Sequence, residues 1–146
     1  MTSDDARDAQ ERGWRQLEQI ANAYRSGTLD VAGWHQAVLD VIEPAYLTAP
    51  TVQGGSGHGG TAEQWERTRS IVMSAVDRSG SFLDIGCANG LLMESIARWA
   101  APLDIHLEPY GVDISAALAA RARARCPQWA ERIWCANAAA WHLSLI

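Results

Sequence analysis

The amino-acid sequence predicts an α/β protein: three parallel strands, half of a doubly wound sheet, preceded by an all-helical N-terminal arm. Three observations carry this. Short apolar runs at 81–85, 110–114 and 132–136 alternate with segments of helical composition. Each run carries a polar residue beside its end: Asp84 and Asp113 one position before it, and Asn137 one position after. Five glycines fall between Gly54 and Gly60, and the pattern changes across them. Strand–helix–strand–helix–strand implies parallel strands joined by right-handed crossovers.

The elements follow in order. Trp14, Leu17, Ile20, Ala21 and Tyr24 recur at helical spacing, so 3–26 reads as a helix that Gly27 stops. Val31, Trp34, Val38, Val41 and Ile42 share a face of a second helix, over 31–43, and Pro44 is expected to end it. The stretch 54–60 is a glycine-rich loop or hinge. Thr61 and Gln64 have the spacing of a capping box, opening a third helix to about Arg78 with Trp65, Val72, Ala75 and Val76 inward. Strand 81–85, helix 91–101, strand 110–114, a Ser115-capped helix 116–125 and strand 132–136 complete the chain. The expected domains are 1–53, the helical arm; 54–60, the loop; and 61–146, the α/β unit.

Composition bounds the function. The chain has 146 residues, about one domain, with 48% hydrophobic and 20% charged residues. A formal net charge of −5 argues against nucleic acid as a partner. No apolar run approaches the ~20 residues that span a bilayer. The polar, acidic start "MTSDDARDAQERGW" is not a secretory signal. Cys87, Cys126 and Cys135 are odd in number and contain no CxxC pair, which suits reduced thiols, a cytoplasmic location and no metal site. Most of the seven tryptophans are expected to be core anchors.

The stretch "FLDIGCANGLLMESI" at 82–96 holds the most chemistry. Gly86 and Gly90 bracket Cys87, Ala88 and Asn89, and Asp84 stands just before them. So many small residues at a strand-to-helix junction suggest that something outside the chain approaches the backbone. In open parallel sheets, ligands sit beyond the carboxyl ends of the strands. Asp84 with the 86–90 loop, Asp113 with Ile114, and Asn137 with Ala138 should lie along that edge. A dinucleotide site would show G-x-G-x-x-G and hold a pyrophosphate. Here the last glycine comes one position early, Ala88 replaces the middle one, and Asp84 would repel a dianion.

The same residues resemble the class I S-adenosylmethionine-dependent methyltransferases, whose domain is Rossmann-like. "DIGCANG" at 84–90 matches the first motif of that family, Asp113 in "YGVDIS" its second acidic landmark, and "ANA" at 136–138 its third. The resemblance covers roughly residues 61–140. It implies S-adenosylmethionine as cofactor and a small-molecule methyl acceptor as partner. It further implies Asp84, Gly86, Cys87, Ala88, Asn89 and Gly90 around the methionine portion, Asp113 and Ile114 at the ribose, and Asn137 and Ala138 at the adenine. The ammonium and sulfonium of this cofactor suit a carboxylate at Asp84. A non-catalytic binding or interaction module is the alternative, and an NAD-type oxidoreductase fragment a more distant one.

Each feature also has a plain structural reading. Asp84 would be a cap, Asp113 a turn acid, Asn137 a turn residue and Cys87 a packing residue. His58 reads as a solvent-exposed loop histidine, and "RARAR" at 121–125 as a solvated helix face. His35, His106 and His142 have no ligand-like spacing. No catalytic base is identified. A complete sheet in this family has seven strands, with the first between the second and the fourth. The chain thus reads as a truncated, cofactor-binding portion. Phe82–Ile85 is then an open edge, to be covered by a homodimer, by a partner completing the sheet, or by the tail "WHLSLI".

Overall fold

A computed structural model describes residues 3–141, and the chain divides into two compact units, one ending at Ala45 and one beginning at Tyr46. Most of the tail, 142–146, lies outside the described residues, so its expected role at the sheet edge does too.

The first unit is helical. Helix α1, Ser3–Arg25, ends where Gly27 turns left-handed at φ 75°. Helix α2 runs Val31–Leu47. Asp30 caps its start, its Oδ1 accepting from the Gly33 amide at 2.7 Å. Tyr24 of α1 meets Trp34 of α2 with ring centroids 5.5 Å apart. The expectation that Pro44 stops α2 fails: the proline lies inside the helix. It removes the bond to the Asp40 carbonyl, but it falls within the last turn, so only three helical residues follow it to be displaced.

The second unit is the α/β body. Helix α3, Ala62–Arg69, opens with the predicted capping box: Thr61 Oγ1 accepts from the Gln64 amide and Gln64 Oε1 from the Thr61 amide. It then tightens into a 3₁₀ segment at Ser70–Ala75 instead of continuing to Arg78, and Ala75 is exposed. Strand β1 is Gly80–Ile85, α4 is Leu91–Ala100, β2 is Leu107–Asp113, α5 is Ala116–Arg125 and β3 is Ile133–Cys135. The strands are parallel in the order β1-β2-β3, with Asp84 opposite Gly111 and Asp113 opposite Cys135. This is the predicted half of a doubly wound sheet, preceded in the chain by a helical arm.

Strand β2 starts three residues earlier than the sequence pattern suggested and includes Pro109, which is fully buried. Parity explains the tolerance. His106 O and Val112 O accept from β1, so even-numbered residues of β2 face β1 and odd-numbered ones face β3. The first β3 partner stands opposite Gly111, so the donor that Pro109 lacks points to a place the ladder does not reach.

One face of the sheet is well filled. Met93, Ala119, Ala122, Cys126, Ile133 and Cys87 form its core, with Phe82 and Trp129 packed against it. Gly111 is the tight point, since a Cβ there would lie 2.7 Å from Met93 Sδ and 3.0 Å from Cys87 Sγ. The tryptophans do not behave as a group. Only Trp65 is buried, and Trp14 is 63% exposed. On the second face Trp134 stacks on Tyr110 at 5.9 Å and meets Trp141 at 5.2 Å. Strand β1 is an edge among the described residues. Gly80 and Gly86 donate to β2, so the amides of Ser81, Leu83 and Ile85 point away from it. Leu83 is 38% and Ile85 65% exposed.

Candidate functional site

The junction after β1 is built by the end of β2. The amides of Gly86 and Cys87 both donate to the Val112 carbonyl, at 2.8 and 3.1 Å. The Ala88 amide donates to Asp113 Oδ2 at 2.8 Å, and the Ser115 amide to Asp113 Oδ1 at 2.8 Å. Asp113 is buried and holds the loop with one oxygen and the start of α5 with the other. Ser115 caps α5 as predicted, accepting from the Leu118 amide. Asp113 is thus a turn acid in this geometry. Each of its oxygens retains acceptor capacity for a further donor.

The two glycines do different work. Gly86 has φ 77°, and a Cβ there would meet nothing within 4 Å. Gly90 has φ 78°, and its Cβ would come within 3.2 Å of Ala122 Cα on α5. Only Gly86 leaves open space, while Gly90 serves close packing. Ala88 also adopts a left-handed conformation, φ 47°. That is uncommon for a residue with a Cβ, and the bond to Asp113 helps hold it. Asn89 is spent on structure. Its Oδ1 accepts from the Leu91 amide, its Nδ2 donates to the Val52 carbonyl, and its own carbonyl accepts from Arg125 Nε.

Asp84 is different. Its Oδ2 is buried with no hydrogen-bond partner among the described residues. Burial, and then the charge of Asp113, push its carboxyl up to about 6. A buried carboxylate oxygen without a donor is expensive to leave empty. A cationic group or a hydrogen-bond donor from a ligand would relieve it.

Cys87 is 2% exposed, and burial first, then the Asp113 and Asp84 charges, push its thiol up to about 12. That is packing and not nucleophile chemistry. At the third strand end, the Ala136 amide donates to the Asp113 carbonyl. Asn137 Oδ1 accepts from the Ala139 amide at 3.0 Å, closing a turn that presents Ala138. Ile114 is 38% exposed beside Asp113, and its carbonyl accepts from the Cys135 thiol. The fold therefore gathers all three predicted strand ends along one edge of the sheet.

Two readings of the sequence require correction. His58 is not solvent-exposed: it is half-buried, its ring sits edge-on to Trp65 at 5.6 Å, and its Nε2 is buried without a hydrogen-bond partner among the described residues. The five glycines around it hid this, because they allow the loop to fold back on α3. The "RARAR" stretch is not merely a solvated face. Arg121 donates to the Leu47 carbonyl, Arg123 to the Ile133 carbonyl, and Arg125 to the Asn89 carbonyl and Glu94. Alternate positions on a helix diverge in direction, so three long arms reach three different segments. Among the described residues no cluster of His, Cys, Asp and Glu could hold a metal ion, and no helix is long and apolar enough to cross a membrane. A scan of protein-family models gives no match to this chain, and a search of curated proteins gives none either.

Proposed function

We propose that the second unit is the cofactor-binding portion of an S-adenosylmethionine-dependent methyltransferase acting on a small-molecule acceptor. The observation that carries the proposal is Asp84: a buried carboxylate oxygen without a partner among the described residues, at the carboxyl end of β1, beside a glycine with open space above it. Such a position suits a ligand ammonium. Gly86 allows close backbone approach, and Asp113 offers further acceptor capacity to ribose hydroxyls. Asn137 and Ala138 stand where an adenine edge would be read. A phosphate-bearing dinucleotide fits poorly, because Asp84 and Asp113 are both acidic at that edge.

The bound cofactor would supply an activated methyl group, and the protein would supply position. Calorimetry with S-adenosylhomocysteine and, separately, with NAD tests the reading. Saturable binding of the first and not the second supports it, and the reverse sinks it.

The two glycine-loop positions separate a cradle from a thiol site. Gly86→Val is expected to abolish S-adenosylhomocysteine binding, because a branched side chain fills the open space and opposes φ 77°. Cys87→Ser should retain more affinity. A greater loss from Cys87→Ser in folded protein would make this a thiol site.

One observation favours the alternative, a binding or interaction module without turnover. Both oxygens of Asp113 already accept backbone amides. Asp113→Ala tells the readings apart. If the acid also serves a ribose, affinity for S-adenosylhomocysteine should fall about 10- to 100-fold in folded protein. Collapse of the fold with no separable binding defect would leave Asp113 as a staple only.

A further inference from the structure

A cleft of about 530 Å³ opens in the second unit between α5 and the strap 46–55, whose first two residues, Tyr46 and Leu47, are the end of α2. Neither Asp84 nor Asp113 lines it, and the residue it shares with the 86–90 loop is Asn89, whose side chain is held by the Leu91 amide and the Val52 carbonyl. Tyr46, Pro50, Val52 and Ala124 give it an apolar wall. Arg121, Arg125 and Glu94 give it charge, and the balance is one net positive.

The two arginines are not equivalent. Arg125 is engaged: its Nη1 lies 3.2 Å from Glu94 Oε2, and its Nε donates to the Asn89 carbonyl. Arg121 donates one N–H, from Nη2 to the Leu47 carbonyl at 2.8 Å. Its remaining N–H groups have no partner among the described residues. Thr51 Oγ1 accepts from the Gly54 amide, which leaves its hydroxyl hydrogen to donate.

We propose that this cleft binds a small monocarboxylate with an apolar body, its carboxylate on the free fork of Arg121 and its body against Tyr46 and Pro50. A guanidinium fork matches a carboxylate in a bidentate fashion. One net positive charge balances one negative charge. Glu94 in the same cleft repels a second, which disfavours a phosphate dianion. The volume suits a small organic molecule.

Benzoate is the probe, with benzamide and inorganic phosphate as comparisons. The readout is the amide and arginine Nε–H resonances of the isotopically labelled chain. Saturable benzoate shifts are expected at Arg121, and at the Asn89 side-chain amide that ties the strap to the loop. Benzamide and phosphate should bind at least tenfold more weakly. Arg121→Gln should weaken benzoate about 10-fold or more. Ala124→Glu, at an exposed helix position, should abolish binding by cancelling the cleft's charge. The proposal is overturned by absence of a saturable benzoate response, by benzamide or phosphate binding as tightly, or by unchanged benzoate affinity in both folded variants. Affinity for S-adenosylhomocysteine is measured independently, so either reading can fail alone.

Discussion

Asp84→Asn is expected to stabilise the protein at neutral pH while weakening S-adenosylhomocysteine binding about 10- to 100-fold. The two effects share one cause. In the folded chain the carboxyl keeps its proton up to about pH 6, against 3.8 ordinarily. Between those values the folded state binds the extra proton, so stability falls as pH rises through the window. Above pH 6 the full cost of the buried charge is present, about 3 kcal/mol, because each tenfold gain in proton affinity on folding corresponds to about 1.4 kcal/mol. An amide at this position removes that cost and flattens the profile. It also removes the charge that a ligand ammonium would meet. Ligand affinity in the wild type should rise with pH up to about 6, as the carboxylate forms. Urea unfolding from pH 4 to 8, with calorimetry at the same points, checks both signs. A variant that is no more stable at pH 7 would mean the carboxylate already has a donor. A variant that binds as tightly as the wild type would remove Asp84 from the site.

Trp65→Ala should cost about 3–5 kcal/mol, a large part of the margin of a small domain. Trp65 is 2% exposed, and its Nε1 donates to Ser95 Oγ on α4 at 3.1 Å. One turn of contacts joins α3 to α4. Glu66 accepts from both Arg98 and Trp99, and the Arg98 bond holds its carboxyl below the ordinary value. Without the indole, His58 also loses the ring it packs against. Trp65→Phe keeps much of the packing and leaves Ser95 without its donor, at about 1–3 kcal/mol. Equilibrium urea denaturation distinguishes the two. A loss below about 1 kcal/mol for the alanine variant would show that α3 is not anchored by this residue.

The α/β body was legible because its signals are local. Apolar runs, a capping box at Thr61 and a capping serine at Ser115 each act within a few residues; both caps formed where expected, and each run marked a strand whose bounds then shifted, β2 to Leu107–Asp113 and β3 to Ile133–Cys135. The edge location of Asp84, Asp113 and Asn137 followed from strand polarity alone. What could not be read depended on partners distant in sequence. The start of β2 at Leu107, with Pro109 inside the strand, rests on β3 being too short to need the proline's missing donor. Gly90 looked like a ligand contact, yet the surface near it is Ala122, and nothing local announces that. The arginines of α5 took their roles from segments as far off as Leu47. The charge of Asp84 is legible in the sequence. That its Oδ2 lacks a donor is a fact of the assembled core.

Strand β1 writes its own record in isotope exchange. Its amides alternate: those of Phe82 and Asp84 turn toward β2, and those of Ser81, Leu83 and Ile85 turn outward. In dilute solution the first pair should exchange slowly and the other three quickly, a two-residue beat along one strand. Raising the protein concentration then acts as a probe. Slowing confined to 81, 83 and 85 would mean that this row of groups recruits a strand from another molecule, as bare sheet edges do. The strand guards itself with no lysine or proline, and its one charge, Asp84, faces the α4 side of the sheet. Among the described residues three outward amides and two aliphatic side chains mark this edge, and a lysine in place of Leu83 is expected to keep the purified chain dispersed.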